Sequence, residues 1–279
     1  MTNKALTIII TTFNSEDKID TCLNAIDSDT KVIIVENSDN LKFKTLIEKK
    51  YSNVECMLSG SNIGYGSANN IGLRSVKTKY SLILNPDTIL DKEALENFFI
   101  FIKKKIDFAI LGPAQDKNQK GFVQNDLNLI EANFVKGFAM FLNMEKFIEI
   151  GFFDENFFLY LEEVDLCKRL KNINEKIYLD RNIKIFHEGG KSVNTTFFNE
   201  VELTRNWHWM WSLFYYNKKH YNYFYAIILI FHNFISALSK SFFYSFFNNN
   251  KKKQIYLKRL SGILSSVLGK PSWYRPKLD

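Results

Sequence analysis

Four short apolar runs, each closing on a polar cluster and separated from the next by a helical pattern, constrain this chain more than any other feature. Ala5 to Thr11 is β-branched and apolar. Lys31 to Val35 stops at Glu36-Asn37-Ser38-Asp39, Asn53 to Leu58 precedes a Gly/Asn-rich stretch, and Tyr80 to Leu84 runs into Asn85-Pro86-Asp87. Between the first two runs, Ser15 is placed to cap a helix, with Glu16 and Asp17 in its first turn and Ile19, Leu23 and Ile26 at helical spacing. Strands alternating with helices predict a mostly parallel sheet covered on both faces. Such sheets take ligands at the carboxyl ends of their strands. Thr12, Glu36, the stretch Asn62 to Asn70 and Asp87 each follow an apolar run, so they fall where a ligand belongs.

Four groups of residues carry potential chemistry. Pro86 stops a strand and holds the next residue in a turn, which presents Asp87 at the sheet rim; a plain turn accounts for the same three residues. Leu161-Glu162-Glu163-Val164-Asp165 places three carboxylates in four residues. On a helix Glu162 and Asp165 share a face while Glu163 points away, which allows a division between orientation and proton transfer. An acidic helix start is the alternative, although Phe157-Phe158-Leu159-Tyr160 draws the segment against a core. His187 ends an apolar run before Glu188-Gly189-Gly190-Lys191-Ser192 and reads either as a ligand or as a hydrogen-bonded structural histidine. The glycines of Asn62-Ile63-Gly64-Tyr65-Gly66-Ser67-Ala68-Asn69-Asn70 permit close backbone approach to a ligand and open a helix whose amides suit phosphate. As a dinucleotide fingerprint the stretch fails, because Asn69 holds the third glycine position and the stretch follows the third strand.

Taken in order, these segments resemble family 2 glycosyltransferases of the GT-A fold, especially the bacterial rhamnosyltransferase-like branch. The resemblance runs from Leu6-Thr12 and Phe13-Asn14 through Val35-Glu36-Asn37-Ser38, Asn62 to Gly72, Leu84-Asn85-Pro86-Asp87 and Gly137. It continues through Gly151-Phe152-Phe153-Asp154-Glu155, Phe158-Leu159-Tyr160, and Glu162 to Arg169, and closes at His187 to Ser192. It covers roughly the first 195 residues and implies an α/β GT-A catalytic domain over residues 1–200, Rossmann-like; charge and aromatic content mark 201–279 as a separate C-terminal helical region. It also implies an NDP-sugar donor, dTDP- or UDP-linked, held by Thr12, Asn14, Glu36, Asn62, Gly64, Asn70, Asn85, Asp87 and Gly137. Glu36 stands where the family usually has Asp. Asp87 matches the last residue of the family's DxD motif, with Asn85 in place of the first Asp, and His187 matches a histidine that helps hold the metal. Oxygen ligands with one imidazole suit Mg²⁺ or Mn²⁺. Glu163 matches the base that takes the acceptor proton, where the family's acidic pair normally reads Glu-Asp. Glu162, Asp165 and Arg169 match supporting positions. The implied reaction is inverting hexosyl transfer to a glycan or lipid-linked acceptor in cell-surface polysaccharide synthesis, such as O-antigen. The competing reading is a non-catalytic sugar-nucleotide binder of the same fold. A nucleotidyltransferase is disfavoured, because Thr11-Thr12-Phe13-Asn14-Ser15 is not a Gly- and Arg-rich phosphate loop.

Charge divides the chain. Val201 to Asp279 carries 12 Lys and Arg against 2 Asp and Glu, whereas Met1 to Glu200 carries 25 against 28, and all four Trp lie in the basic part. Tyr221 to Ser239 has no formal charge, nearly the length of a membrane span. Asn222, Asn233, Ser236 and Lys240 nevertheless fall near one helical face, opposite Phe224, Ile228, Phe231, Ile235 and Leu238. That pattern favours helices lying in an anionic membrane surface over a span. Packing on the catalytic domain, or on a second subunit of a homo-oligomer, is the alternative; nucleic acid is disfavoured because no binding module accompanies the charge. Cys22, Cys56 and Cys167 offer no CxxC spacing and the first residues lack a secretory pattern, which points to a cytoplasmic protein, peripheral at the inner face of the plasma membrane. On that reading the sequon Asn194-Thr195-Thr196 is chance.

Overall fold

The computed structural model describes residues 5–114, 128–187 and 198–276. They form two compact units: Met1–Phe153 with Glu163–Ser192, and Asp154–Glu162 with Val193–Asp279. Nine residues, Asp154–Glu162, group with the C-terminal helices, apart from the segments on either side of them.

The first unit is built on strands β1 (Leu6–Thr12), β2 (Lys31–Glu36), β3 (Val54–Leu58), β4 (Tyr80–Leu84), β5 (Thr88–Leu90), β6 (Ile110–Pro113), β7 (Leu129–Glu131), β8 (Ala139–Asn143), β9 (Ile177–Asp180) and β10 (Ile185–His187). Eight of them make one mixed sheet in the order β3-β2-β1-β4-β8-β6-β9-β7, and β5 and β10 make a separate antiparallel pair. β1 and β4 are buried on both faces, as is β2 past Lys31, whereas β3 at the sheet edge exposes Glu55. Ile8, Ile10, Val32, Ile34, Leu82 and Leu84 enter one core, with Ile19 and Leu23 of α1 (Glu16–Asn24), Phe43 and Ile47 of α2 (Leu41–Lys50), and Phe98 and Phe101 of α4 (Ala94–Lys103). Ile9, Ile33, Val35 and Ile83 enter the other, with Ala68 and Leu73 of α3 (Tyr65–Arg74) and Leu166, Cys167 and Leu170 of α5 (Glu162–Asn172).

Direction positions the site. β1 to β4 run parallel, with Thr12 opposite Glu36 and Glu36 opposite Leu58, so their carboxyl ends share one edge. β8 runs antiparallel to β4 with Ala139 opposite Leu84, which brings Gly137 and Phe138, just before β8, to that same edge. β8 thus reverses direction in the middle of the sheet, as β7 does at its edge, and Phe138 O accepts the Asn85 amide at 2.9 Å.

In the second unit, α6 (Phe198–His220), α7 (Tyr223–Phe246) and α8 (Asn250–Val267) pack on one another. Gly262 of α8 sits where a Cβ would lie 2.3 Å from the Trp207 carbonyl oxygen, so its lack of a side chain sets how closely α8 approaches α6. Trp207 and Trp211, one turn apart, are buried and donate their indole N–H groups to Ser261 Oγ (3.1 Å) and Lys270 O (3.0 Å), whereas Trp209 is exposed. Asp154–Glu162 is tied to α6 at several points. Ser212 Oγ donates to Leu159 O at 2.8 Å, Tyr215 Oη donates to Asp154 Oδ2 at 3.0 Å, and Lys219 Nζ lies 2.7 Å from the same oxygen. Phe158 stacks on His208 with ring centroids 4.4 Å apart, and the Arg275 guanidinium lies 3.8 Å from the Phe158 centroid.

α7 is amphipathic in a sense the sequence pattern does not reveal. Its buried residues are Ala226, Ile230, Ala237 and Ser241, which are mostly small. The bulky stripe predicted by periodicity exists, and it points outward: Phe224 is 79% exposed, Ile228 73%, Phe231 60% and Ile235 46%.

Candidate active site

Asp87 lies three residues past β4, in the turn leading to β5, and β5 pairs with β10 so that His187 stands opposite Thr88. That hairpin-like pairing of distant segments puts His187 Nε2 3.3 Å from Asp87 Oδ1. The imidazole stacks on Phe138, nearly parallel at 7°, with centroids 4.8 Å apart. Both carboxylate oxygens of Asp87 and the side-chain oxygen of Asn85 are buried and accept no hydrogen bond from the described residues, His187, when protonated, being the cationic partner within ion-pair distance. A desolvated carboxylate is costly to hold inside a protein unless a cation compensates it. The donor set of carboxylate, amide oxygen and imidazole suits a hard divalent ion. Among the described residues no three His, Cys, Asp or Glu side chains gather into a cage. A cation here would thus depend on further ligands such as diphosphate oxygens. Residues Glu188 to Ser192, which complete the His187 motif, lie outside the described residues, as does Asn194.

Glu163 occupies the first turn of α5 beside Gly137. A Cβ placed on Gly137 would meet Glu163 Cβ at 3.7 Å and Tyr65 Cε1 at 3.7 Å, so these three residues adjoin. Tyr65 Oη donates to Gly137 O at 2.6 Å, which fixes the loop before β8. Burial pushes the Glu163 carboxyl above the usual carboxylate range; the amides of Glu163 and Val164 oppose the shift, and burial wins. Its Oε2 accepts no hydrogen bond from the described residues. A carboxylate so placed is a stronger base than one in water. Immediately before α5, Tyr160 and Leu161 take left-handed backbone with φ of 71° and 67°. Two consecutive bulky residues in that region store strain of about 1 kcal/mol or more each, which folds tend to retain at functional positions.

Several expected site residues prove to be engaged by the protein itself. Glu36 is buried, and its carboxylate accepts from Ser38 N (3.1 Å), Ser38 Oγ (2.8 Å) and Asn40 N (3.1 Å), holding the loop after β2. Asn70 grips the Phe153 backbone on both sides, donating to its carbonyl at 2.9 Å and accepting from its amide at 3.0 Å. Asn62 Oδ1 accepts from Gly64 N at 3.2 Å and Asn37 Nδ2 at 3.1 Å, and Gly64 takes a φ of 93°. Asp165 is fully buried and binds Arg169 Nε at 2.9 Å, while Arg169 also donates to Ile150 O (2.8 Å) and Phe152 O. Glu162 is buried at the start of α5. Thr12 at the end of β1 buries a hydroxyl oxygen that finds no partner, and Asn14 turns the chain with a φ of 49°. Asn37, Tyr65 and Phe138 were not singled out by sequence reasoning. Asn37 ties Ile63 N, Gly64 O and Ser59 Oγ together, and its only signal was its place after a strand-ending acid. Burial pushes the Cys22, Cys56 and Cys167 thiols up to about 12, so none is a thiolate nucleophile near neutral pH.

The sequence profile of glycosyl transferase family 2 matches residues 7–167, which contain β1, the Asp87 turn and Glu163. The chain belongs to glycosyl transferase family 2. Among its family 2 relatives, the low-salt glycan biosynthesis hexosyltransferase Agl10 of Haloferax volcanii is 25% identical over 198 residues, 62% of this chain and 63% of that protein. The chain thus spans a little under two thirds of Agl10. Rhamnosyltransferase WbbL of Escherichia coli K12 is 28% identical over 204 residues, covering 58% of this chain and 75% of WbbL. Two solved structures share the fold at low identity. The mannosyltransferase PcManGT from Pyrobaculum calidifontis, in complex with GDP-Man and Mn²⁺, superposes with a TM-score of 0.58 at 11% identity over 95% of this chain and 88% of that one. Staphylococcus aureus TarS 1–349 does so with a TM-score of 0.53 at 14% identity, over 97% and 93%. The expected GT-A architecture, mostly parallel with added C-terminal helices, is the observed one.

Proposed function

We propose that this chain is a divalent-metal-dependent, inverting hexosyltransferase that takes its sugar, rhamnose or another hexose, from a dTDP- or UDP-linked donor. The acceptor is a glycan or lipid-linked hydroxyl of a cell-surface polysaccharide, met at the inner face of the plasma membrane. One observation carries this reading: a buried carboxyl of raised pKa, Glu163, packs at Gly137, one residue from Phe138, which in turn backs the Asp87–His187 pair. The names of the family 2 relatives support it, as does the nucleotide sugar and Mn²⁺ held by PcManGT.

In this scheme Glu163 accepts the proton of the acceptor hydroxyl as its oxygen forms a bond to the anomeric carbon. The bond from that carbon to the diphosphate oxygen breaks, and the electron pair leaves with the nucleoside diphosphate. No covalent sugar intermediate forms. Gly137 leaves room beside Glu163, and Arg169 and Asp165 fix the turn at 150–152 against α5. Asp87 and His187 would hold the metal, with Asn85 beside them. When bound, a divalent ion neutralises charge on the departing diphosphate. Thr12, Asn14 and the loop 62–70 shape the strand-end floor, and Glu36, both of whose oxygens accept from Ser38, acts on the nucleoside through the loop it braces.

Glu163→Gln keeps the shape and removes the base. We expect transfer to fall by about 10²-fold or more while donor affinity, read by calorimetry, stays within a few-fold. Unchanged turnover would refute the assignment. A pure sugar-nucleotide binder would show donor binding with neither transfer nor donor hydrolysis in the wild type.

A further inference from the structure

The outward face of α7 is the surface feature that the active site does not explain. Phe224, Ile228, Phe231, Ile235, Phe242 and Phe246 recur at spacings of four, three, four, seven and four residues, which at 100° per residue confines them to one stripe. All six are exposed, Phe242 at 70% and Phe246 at 83%, and Phe243 and Phe247 extend the exposure to the end of the helix. An apolar stripe of this length is far from the scattered exposure normal for a surface. The helix meets α6 and α8 through small side chains on another face, with Ala226 and Ile230 packed on Met210, Phe214 and Ile263.

We infer that α7 docks in the plane of an anionic lipid surface, its phenylalanine and isoleucine stripe entering the acyl boundary while the remainder of the second unit stays at headgroup level. This rests on the membrane-surface placement proposed above and gives it an orientation. Charge selects the occupant. Residues 201–279 carry 12 basic and 2 acidic side chains, so a second copy would bring like charge against like, whereas an anionic bilayer is complementary. Lys240 lies 5.3 Å from the Tyr256 ring and Lys252 5.1 Å from the Tyr244 ring, both on the side of α7 away from the stripe. Opposite faces of a helix lie about one helix diameter apart, ~10 Å, so these lysines stay within about one Debye length of the headgroups.

The packing also rules against a span. α7 has 24 residues and a mean hydropathy of 1.5 in its most apolar window, long and apolar enough to cross. Yet α8 runs back along it, pairing Tyr256 with Tyr244 at one end and Ile263 with Ile230 at the other. A crossing α7 would draw Lys252, Lys253, Lys258 and Arg259 of α8 into hydrocarbon, each at about 2.5 kcal/mol or more. Lying in the plane avoids this.

The test is flotation of the full-length chain with vesicles of phosphatidylcholine alone and of phosphatidylcholine with phosphatidylglycerol. We expect flotation with the anionic vesicles, weakened by salt and by omitting phosphatidylglycerol. Ile228→Asn/Phe231→Gln/Ile235→Asn should lower the bound fraction about tenfold or more, since apolar insertion supplies much of the affinity. Its melting by tryptophan fluorescence should be unchanged; were that variant unstable, Phe246→Ser at the exposed end poses the same question. Failure of the wild type to float, or flotation of a folded variant as good as wild type, overturns the inference. So does a lipid-free dimer that the variant turns into a monomer. Resistance of the membrane-bound wild type to alkaline carbonate overturns the in-plane orientation. Donor binding measured on the same samples separates these failures from failure of the transferase reading, because the altered residues all lie in the second unit.

Discussion

His208 makes the stability of the second unit depend on pH in a way that can be worked out beforehand. The ring is fully buried on α6, its Nε2 lies 2.7 Å from Tyr274 O, and its Nδ1 is buried without a partner. Nε2 must therefore carry the proton that it donates to the carbonyl, leaving Nδ1 bare. Charging the ring would put a second proton on a buried Nδ1 that has no acceptor among the described residues. Burial is accordingly the main reason that its pKa falls from 6.5 to about 3, with nearby Arg275 adding to the effect. The sign follows. The folded state refuses a proton that the unfolded chain accepts, so stability present above pH 6.5 is lost as pH falls toward 3. Going from about pH 7 to about pH 5 removes about 2 kcal/mol through this one group, almost independently of how far below 5 the folded value lies. The four tryptophans, Trp207, Trp209, Trp211 and Trp273, all belong to the second unit, so urea unfolding followed by their fluorescence reads that unit alone. His208→Gln should be less stable at neutral pH yet lose about 2 kcal/mol less than wild type on acidification. The difference between the two proteins cancels every other titrating group. A parallel pH dependence in both, or an imidazole titrating near 6.5 by NMR in the folded chain, would refute the reasoning.

Three further outcomes follow from close packing and paired charge. Gly262→Ala must push α8 off the Trp207 carbonyl and should cost about 1–3 kcal/mol, seen as a lower urea midpoint in the same fluorescence assay; an unchanged midpoint would contradict the close approach. Asp165→Asn leaves the Arg169 guanidinium without its buried counter-charge and should destabilise the first unit by about 3 kcal/mol, measured by far-UV circular dichroism. Asp87→Ala should abolish the gain in donor affinity that Mn²⁺ confers, leaving metal-free affinity nearly unchanged in calorimetry; a Mn²⁺ effect that survives the substitution would show that the ion is held elsewhere.

Much of the first unit was legible in advance because β1, β2 and β4 are apolar runs buried on both faces, a pattern that allows few alternatives. The turn at Asn85-Pro86-Asp87, the α5 helix and the strand delivering His187 stand where spacing placed them. Three-residue strands such as β5 and β7 carry no periodicity to read, yet β5 is the strand on which β10 pairs to bring His187 beside Asp87. Side-chain allegiance was less readable than position. Glu36 and Asn70 sit at the expected edge, but neighbouring amides claim much of their hydrogen-bonding capacity, and composition cannot tell a ligand contact from a loop brace. In α7, periodicity identified the stripe correctly and was silent on its direction. Small residues pack helices closely as well as large ones do, so hydrophobic bulk is no guide to which face turns inward.

The membership of Asp154–Glu162 in the second unit means that the chain passes between units three times, after Phe153, after Glu162 and after Ser192. The C-terminal helices are thus no detachable cassette. A graft from a homologue that replaced only residues past 193 would meet a foreign Phe158 beneath His208 and a foreign Asp154 beside Lys219. Any workable exchange has to carry those nine residues as well, and they end directly before Glu163. A substitution in the tail can therefore reach the segment leading into the candidate base through packing within one unit, without touching the strands that carry Asp87 and His187.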